Sequence, residues 1–334
     1  MPEWNDRVDQ KYNFIEDRHS DEHTQDPAKN DSYMWDIFGM DKLPFDGVLV
    51  SRIPIEREKK KFELTLKEGI HKVLRLPREF ELLGDCGAFG YIDQKVPPYD
   101  PLEILEYYKN TGFNYGVSVD HLVVPQFVDQ KDERIKITYE NGALALKEWK
   151  SKYKDIFQLI VSVQGWEIND YISMYKKYID DGATHLALGG LVRCPTSYVS
   201  ELIDMLLLEI RSSKKTPQYI HFFGLARAAL FPQLKQLEEL GVTVGFDSAS
   251  YLRKAWLSAP TSEMNYLTLS GRGYTAIRIP FTKKPKTKNP DAQEDQKTQK
   301  TKMLEQKCLQ ELWKYEKTQT DIENVLSALT EFSK

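Results

Sequence analysis

Short β-branched and aromatic runs recur along this chain from about residue 47, and the longer stretches between them carry apolar residues at a helical period. Runs near 47–53, 80–84, 115–119, 157–163, 184–188, 218–223, 242–246 and 275–279 read as strands. Strands that alternate with amphipathic helices are the signature of parallel βα units. Eight of them predict an α/β fold, a closed (β/α)8 barrel of the TIM type. The helices between them are well marked. Val199, Leu202, Ile203, Leu206, Leu207 and Ile210 follow i, i+3, i+4, i+7, i+8 and i+11, with Thr196 or Ser197 placed to cap the N-terminus. Leu230, Leu234 and Leu237 precede Gly241, which suits a C-terminal cap and hands the chain to the next strand.

The pattern changes at both ends. Residues 1–45 are charged but carry Trp4, Tyr12, Phe14, Tyr33, Trp35 and Phe38, too aromatic for a disordered tail, and predict an arm or cap on a barrel spanning 46–281. Residues 282–299 form a lysine-, proline- and glutamine-rich linker. Over 300–334 the sets Leu304, Cys308, Leu312, Tyr315 and Ile322, Val325, Leu329, Phe332 keep helical spacing, predicting a pair of helices on the barrel exterior.

Composition narrows the picture only in part. A chain of 334 residues that is 41% apolar can bury one large core. The net charge of −4 advertises no global attraction to nucleic acid, although binding depends on local patches, and seven lysines lie between Lys283 and Lys302. Cys86, Cys194 and Cys308 stand far apart with no C-x-x-C spacing, which argues against a disulfide framework and a cysteine-rich zinc site. No metal site is expected. The first residues lack the blocks of a signal peptide, and no apolar run approaches the roughly 20 residues that span a bilayer. These features predict a cytoplasmic protein with no membrane partner.

The candidate chemistry sits where apolar segments stop. Three of them end in aspartate: Leu82-Leu83-Gly84-Asp85, Val117-Ser118-Val119-Asp120 and Val244-Gly245-Phe246-Asp247. Two more end in polar or glycine-rich turns, Val161-Ser162-Val163-Gln164-Gly165 and Leu186-Ala187-Leu188-Gly189-Gly190-Leu191. A side chain at the C-terminal end of a barrel strand points into the usual active-site mouth, so these segments outline one pocket. Each aspartate taken alone could equally cap the following helix.

The ordered set Asp85-Cys86-Gly87-Ala88-Phe89, Asp120, Val163-Gln164-Gly165, Leu188-Gly189-Gly190-Leu191, Phe223-Gly224 and Phe246-Asp247 resembles the guanine-transglycosylase superfamily. That resemblance covers the barrel and neither terminus. It implies exchange of a guanine in nucleic acid for a 7-deazaguanine base. The cysteine- and histidine-rich structural zinc site of the tRNA enzymes cannot be built here, since only Cys308 follows Cys194. The Ser-Gly-Gly usual after the first aspartate is Cys86-Gly87-Ala88, the glutamine expected soon after is Gly90, and Ser248-Ala249-Ser250-Tyr251-Leu252-Arg253 follows the last aspartate. These departures look more like the DpdA-type enzymes that place 7-deazaguanines in phage or bacterial DNA. DNA and a free 7-deazaguanine base are the implied partners, and a helper protein that opens the duplex is compatible with them.

Exchanging a base without cutting the strand needs a group that holds C1′, which a carboxylate can do by the double displacement of retaining glycosidases. The resemblance makes Asp247 the nucleophile and Asp85 the general acid/base. The same resemblance implies that Asp120 accepts from guanine N1 and N2, while Gln164 and the backbone around Gly189, Gly190 and Leu191 cover the O6 edge, with Phe89 beside them. The scheme requires no cofactor. His121 and Cys86, each next to an aspartate, are secondary candidates. Arg253, Lys254, Arg272, Lys283 and Lys284 are candidate phosphate contacts, with Tyr251 and Tyr274 as stacking groups for an extruded strand. His185 opens its strand on the far end of the barrel and reads as structural. His221, inside a strand, is placed to face the interior. Three competing readings remain: a tRNA enzyme without the zinc module, a non-catalytic nucleic-acid-binding partner subunit, and a metal-dependent hydrolase using Asp120, His121, His185 and His221.

Overall fold

The computed structural model describes residues 7–13, 18–43, 45–248, 264–267, 273–276 and 296–333. The described residues divide into two compact units, one within 38–248 and the other made of those within 7–37 together with those within 264–333.

The first unit is α/β and TIM-like. Its strands are β1 (Gly47–Ser51), β2 (Glu81–Asp85), β3 (Tyr115–Val117), β4 (Gln158–Val163), β5 (His185–Leu188), β6 (Tyr219–Phe222) and β7 (Thr243–Phe246). They form one seven-stranded sheet in sequence order, and every neighbouring pair is parallel. Helices separate successive strands, among them Pro101–Thr111, Lys131–Lys152, Ile168–Asp180, Thr196–Ser212 and Phe231–Glu239. Thr196–Ser212 buries the six apolar residues that its spacing singled out. Its N-cap is Pro195, one residue ahead of the expected Thr196, and makes no side-chain cap bond. Proline's fixed φ suits a helix entrance without one. Gly241 follows Phe231–Glu239 at φ +85°, the left-handed geometry that ends a helix.

Alternation within the strands decides which residues meet inside. Leu83, Val117, Ile160 and Ala187 form one buried cluster, with Leu49, Tyr115, Tyr219 and Phe223 packed against it. One step of two residues further along β1, β2, β4 and β5 brings the chain to Ser51, Asp85, Ser162 and Gly189, on the same face as that apolar floor, whereas on β3 the same step reaches buried Val119 and Asp120 lies in the irregular stretch beyond the strand. The apolar layer is therefore the base on which the polar strand ends stand.

The expected eighth strand differs. The strand in that region is β9 (Gly273–Ala276), antiparallel to β8 (Met264–Leu267), in a separate two-stranded sheet of the second unit. An alternating run specifies an extended strand but not its partner, so the sequence left this pairing undetermined. The second unit also holds short helices at Asp21–Gln25, Pro27–Asn30 and Met34–Phe38 and the pair Gln296–Glu316 and Ile322–Ser333. Buried Cys308, Val325 and Ala328 lie in that pair, and the Cys308 thiol reaches the Ala328 carbonyl at 3.2 Å. Among the described residues, no helix is long and apolar enough to cross a membrane.

Candidate active site

Ser51 and Asp85 end β1 and β2 in register. The Ser51 hydroxyl donates to Asp85 Oδ2 at 3.0 Å, and the Gly87 N–H donates to the same oxygen at 2.9 Å. Burial raises the Asp85 pKa, and the negative charge of Asp247 raises it further against those hydrogen bonds. A carboxyl that keeps its proton more readily than usual is suited to acid/base work.

Asp120 lies beyond β3 and is buried, 3% exposed. Its Oδ2 accepts from the Ser162 hydroxyl at 3.0 Å and from Gln164 Nε2 at 2.6 Å. Burial and the charge of Asp85 push its pKa up to about 7 in spite of both donors. Gln164 is fully buried and Oε1, its other amide end, has no hydrogen-bond partner among the described residues. Gly189 makes room for this amide, since a Cβ there would lie 2.1 Å from Gln164 Nε2. Gly190 adopts φ +77°, and a Cβ on it would meet Gln164 Oε1 and the Tyr171 hydroxyl, both at 3.1 Å. That hydroxyl donates to the Gly189 carbonyl at 2.9 Å. Leu191 is buried behind the turn.

Asp247 follows β7. Its Oδ1 takes a hydrogen bond from the Gly224 N–H at 3.0 Å and lies 3.0 Å from His221 Nε2. Among the described residues both contacts fall on Oδ1, which leaves Oδ2 as the oxygen available to a substrate. Tyr219 OH stands 2.8 Å from His221 Nδ1, so two strand residues two apart support the carboxylate from below. Gly245, paired with His221 across β6 and β7, is needed there because a Cβ would fall 1.9 Å from Tyr219 OH. The three aspartates are linked electrostatically, Asp85 to both Asp247 and Asp120. Together these strand ends present two acidic groups with raised pKa values, an oriented carboxylate and a buried amide on one side of the sheet.

Two neighbours of the aspartates turn away. Cys86 is buried with Sγ 3.6 Å from Tyr108 OH, and burial pushes its thiol pKa well up. His121 is also buried, its Nε2 within 2.9 Å of the Gln94 carbonyl and its Nδ1 3.3 Å from Arg134. Successive residues of a strand point to opposite sides, so inward Asp85 at the end of β2 sends Cys86 outward, while Asp120 and His121 lie in the irregular stretch after β3. His185, at the start of β5, has a pKa lowered to about 4 by burial. Asp120, His121, His185 and His221 thus each serve a different set of partners and do not converge as a metal-hydrolase site requires. Phe89 sits on the short turn Ala88–Tyr91 and is 60% exposed.

Residues that the motifs did not single out complete the arrangement: Ser51, Ser162, His221, Tyr219 and Arg227. The Arg227 guanidinium donates to the carbonyls of Val192 and Cys194, each at 2.8 Å, and so ties the turn after β5 to the loop after β6. The signal for His221 and Tyr219 was their alternation with Phe223 along one strand. Arg253, Lys254, Arg272, Lys283, Lys284 and Tyr251 lie outside the described residues, and Tyr274 is described only as part of the β9 backbone.

No family model matches the chain. It is 27% identical over its whole length to a DNA-guanine transglycosylase of Salmonella montevideo, covering 80% of that protein. It is 24% identical to the tRNA-guanine(15) transglycosylase of Pyrococcus abyssi over 64% of the chain, and 25% identical to that of Pyrococcus furiosus over 63%. Those two matches cover only 35% and 34% of the archaeal proteins.

Proposed function

The chain belongs to the guanine-transglycosylase superfamily, and from that premise we propose that it exchanges a guanine in DNA for a 7-deazaguanine base, with Asp247 as nucleophile and Asp85 as general acid/base. The observation that carries this reading is the set of three aspartates at the ends of β2, β3 and β7, with Asp85 feeling the charge of Asp247 and Asp120 that of Asp85.

Asp247 Oδ2 attacks C1′ as the bond from C1′ to guanine N9 breaks, and Asp85 gives its proton to the departing base. The glycosyl ester on Asp247 then receives the incoming 7-deazaguanine at C1′. Asp85 takes the proton from that base, the ester bond breaks, and both carboxyls return to their starting states. His221 and the Gly224 N–H hold Oδ1, which keeps Oδ2 aimed and stabilises the carboxylate as it is released. Asp120 accepts from the N1 and N2 donors of either base, and Gln164, expected on the O6 edge, instead spends its amide nitrogen on Asp120 at 2.6 Å and so holds that carboxylate in place. Both bases share that edge, so one pocket serves departure and arrival.

DNA is favoured over tRNA by the extent of the matches, the whole chain against a DNA-guanine transglycosylase but under two thirds of it against the tRNA enzymes. The target nucleotide must leave the stack to bring C1′ to Asp247, at a cost of a few kcal/mol. Nucleoside mass spectrometry of DNA and tRNA from cells with and without this protein tests the reading. A 7-deazaguanine nucleoside confined to DNA and dependent on the protein is expected; one confined to tRNA would transfer the same chemistry to RNA.

A further inference from the structure

The N-terminal part of the second unit is organised around polar side chains. Of the apolar residues described between 7 and 37, only Tyr33 and Trp35 are buried. The helices Asp21–Gln25 and Pro27–Asn30 bury nothing. Segments this poor in core usually need a covalent or metal staple to hold one shape, and the nearest cysteine in sequence is Cys86.

What these turns do bring together is Asp9, His19 and His23. One ligating atom from each lies within 4.8 Å of the other two. The imidazoles of His19 and His23, four residues apart around the Ser20 cap, stack with centroids 3.6 Å apart and planes 10° from parallel. His19 Nδ1 is 3.3 Å from Asp9 Oδ2. His23 Nδ1 lies 2.9 Å from each Asp31 oxygen, which engages that nitrogen and leaves Nε2 as the donor His23 can offer. An imidazole whose second nitrogen is held by a carboxylate is the usual arrangement behind a metal-bound histidine. The side chains of Asp9 and Asp31 are 5% and 8% exposed, whereas His19 is 50% exposed, so one side of the cluster opens to solvent.

We propose that Asp9, His19 and His23 bind a divalent cation of the zinc class, with Asp31 orienting the His23 ring. Two imidazole nitrogens and one carboxylate oxygen are donors suited to Zn²⁺ and its neighbours, and three protein ligands leave a further position for water. The expectation of no metal came from cysteine spacing, which does not detect a ligand set made of histidine and aspartate. The cation would close the stretch from Asp9 to His23 and tie it to Asp31, supplying the staple that its apolar residues do not. This site is independent of the base-exchange chemistry and stands or falls separately from it.

Zn²⁺ titrated into the full chain after chelation and dialysis should bind at one equivalent, measured by calorimetry. The His19→Asn, His23→Asn double variant should lose that equivalent, and Asp31→Asn, which keeps the three ligands, should weaken it by about 10- to 100-fold. Failure of the parent to bind one equivalent, or undiminished binding by the double variant, would overturn the proposal. Should the double variant misfold, diethyl pyrocarbonate labelling of the parent decides. His19 and His23 should be protected by Zn²⁺, and equal labelling with and without the metal would also overturn it.

Discussion

His221 Nε2 lies 3.0 Å from Asp247 Oδ1, on the one carboxylate oxygen that also accepts from the Gly224 N–H. Tyr219 OH stands 2.8 Å from the other ring nitrogen, so both nitrogens are engaged and the ring is held in one orientation. The ring then acts as a positioning group, leaving Oδ2 to react. His221→Ala should lower kcat by about 100-fold with little change in KM for the base, the loss typical of one preorganised hydrogen bond. Tyr219→Phe should show a weaker version of the same split. Steady-state kinetics that place the loss in KM would show that the ring contacts the base instead.

Asp247 and Asp85 should fail in different ways. Asp247→Ala removes the only proposed acceptor for C1′ and should abolish exchange in a folded protein, as judged by circular dichroism and gel filtration. Asp85→Asn keeps the shape and removes the transferable proton, with an expected loss on the order of 100-fold or more. Retention of parental rate and pH profile by Asp85→Asn would reassign the acid/base.

Asp120 should make base binding pH-dependent, because its pKa is pushed up to about 7 and only the carboxylate accepts from both guanine donors. Affinity for guanine should fall as pH drops below about 7, and Asp120→Asn should flatten that dependence while costing roughly 2 kcal/mol, the penalty for an unpaired polar group. The same shift has a stability consequence. The native carboxyl holds a proton between its ordinary pKa of 3.8 and about 7, where the unfolded chain has released it. This contribution is complete below 3.8, is lost progressively as pH rises from there, and is gone above about 7. Asp120→Asn should therefore melt a few degrees higher than the parent at pH 8. Calorimetric titration and thermal melts at pH 6 and pH 8 check both signs.

Gly189→Ala should disturb the pocket by displacing Gln164, since the new Cβ would fall 2.1 Å from Nε2. Overpacking of this kind costs about 1–3 kcal/mol. Base affinity should fall about tenfold or more, and the combination with Gln164→Ala should be no worse than Gln164→Ala alone. Additive losses in that double-mutant cycle would separate the glycine from the amide.

Much of this was legible in the sequence because alternation in strands fixes the inward positions. Asp85 and Asp247 could be placed at strand ends from the apolar runs before them. The same alternation, read one residue further, explains why Cys86 turns outward toward Tyr108, whereas the direction of His121 toward Arg134 is set in the irregular stretch after β3, where no strand period applies. Contacts across strands were not legible. His221 meets Asp247 only because β6 and β7 pair with His221 opposite Gly245, a register that no single segment encodes. The pairing of β9 with β8 was hidden for the same reason. His19 and His23 carry an H-x3-H spacing that a search for cysteine pairs passes over, and Asp9 joins them only in the folded chain.

The central claim is tested most directly by incubating the purified protein with guanine-containing DNA, or with tRNA, and a radiolabelled 7-deazaguanine, then counting label in the recovered nucleic acid. The account predicts label in DNA for the parent protein and none for Asp247→Ala, with strands carrying unpaired guanines labelled fastest because extrusion costs least there. Label in tRNA with none in any form of DNA, or equal labelling of DNA by Asp247→Ala, would contradict it.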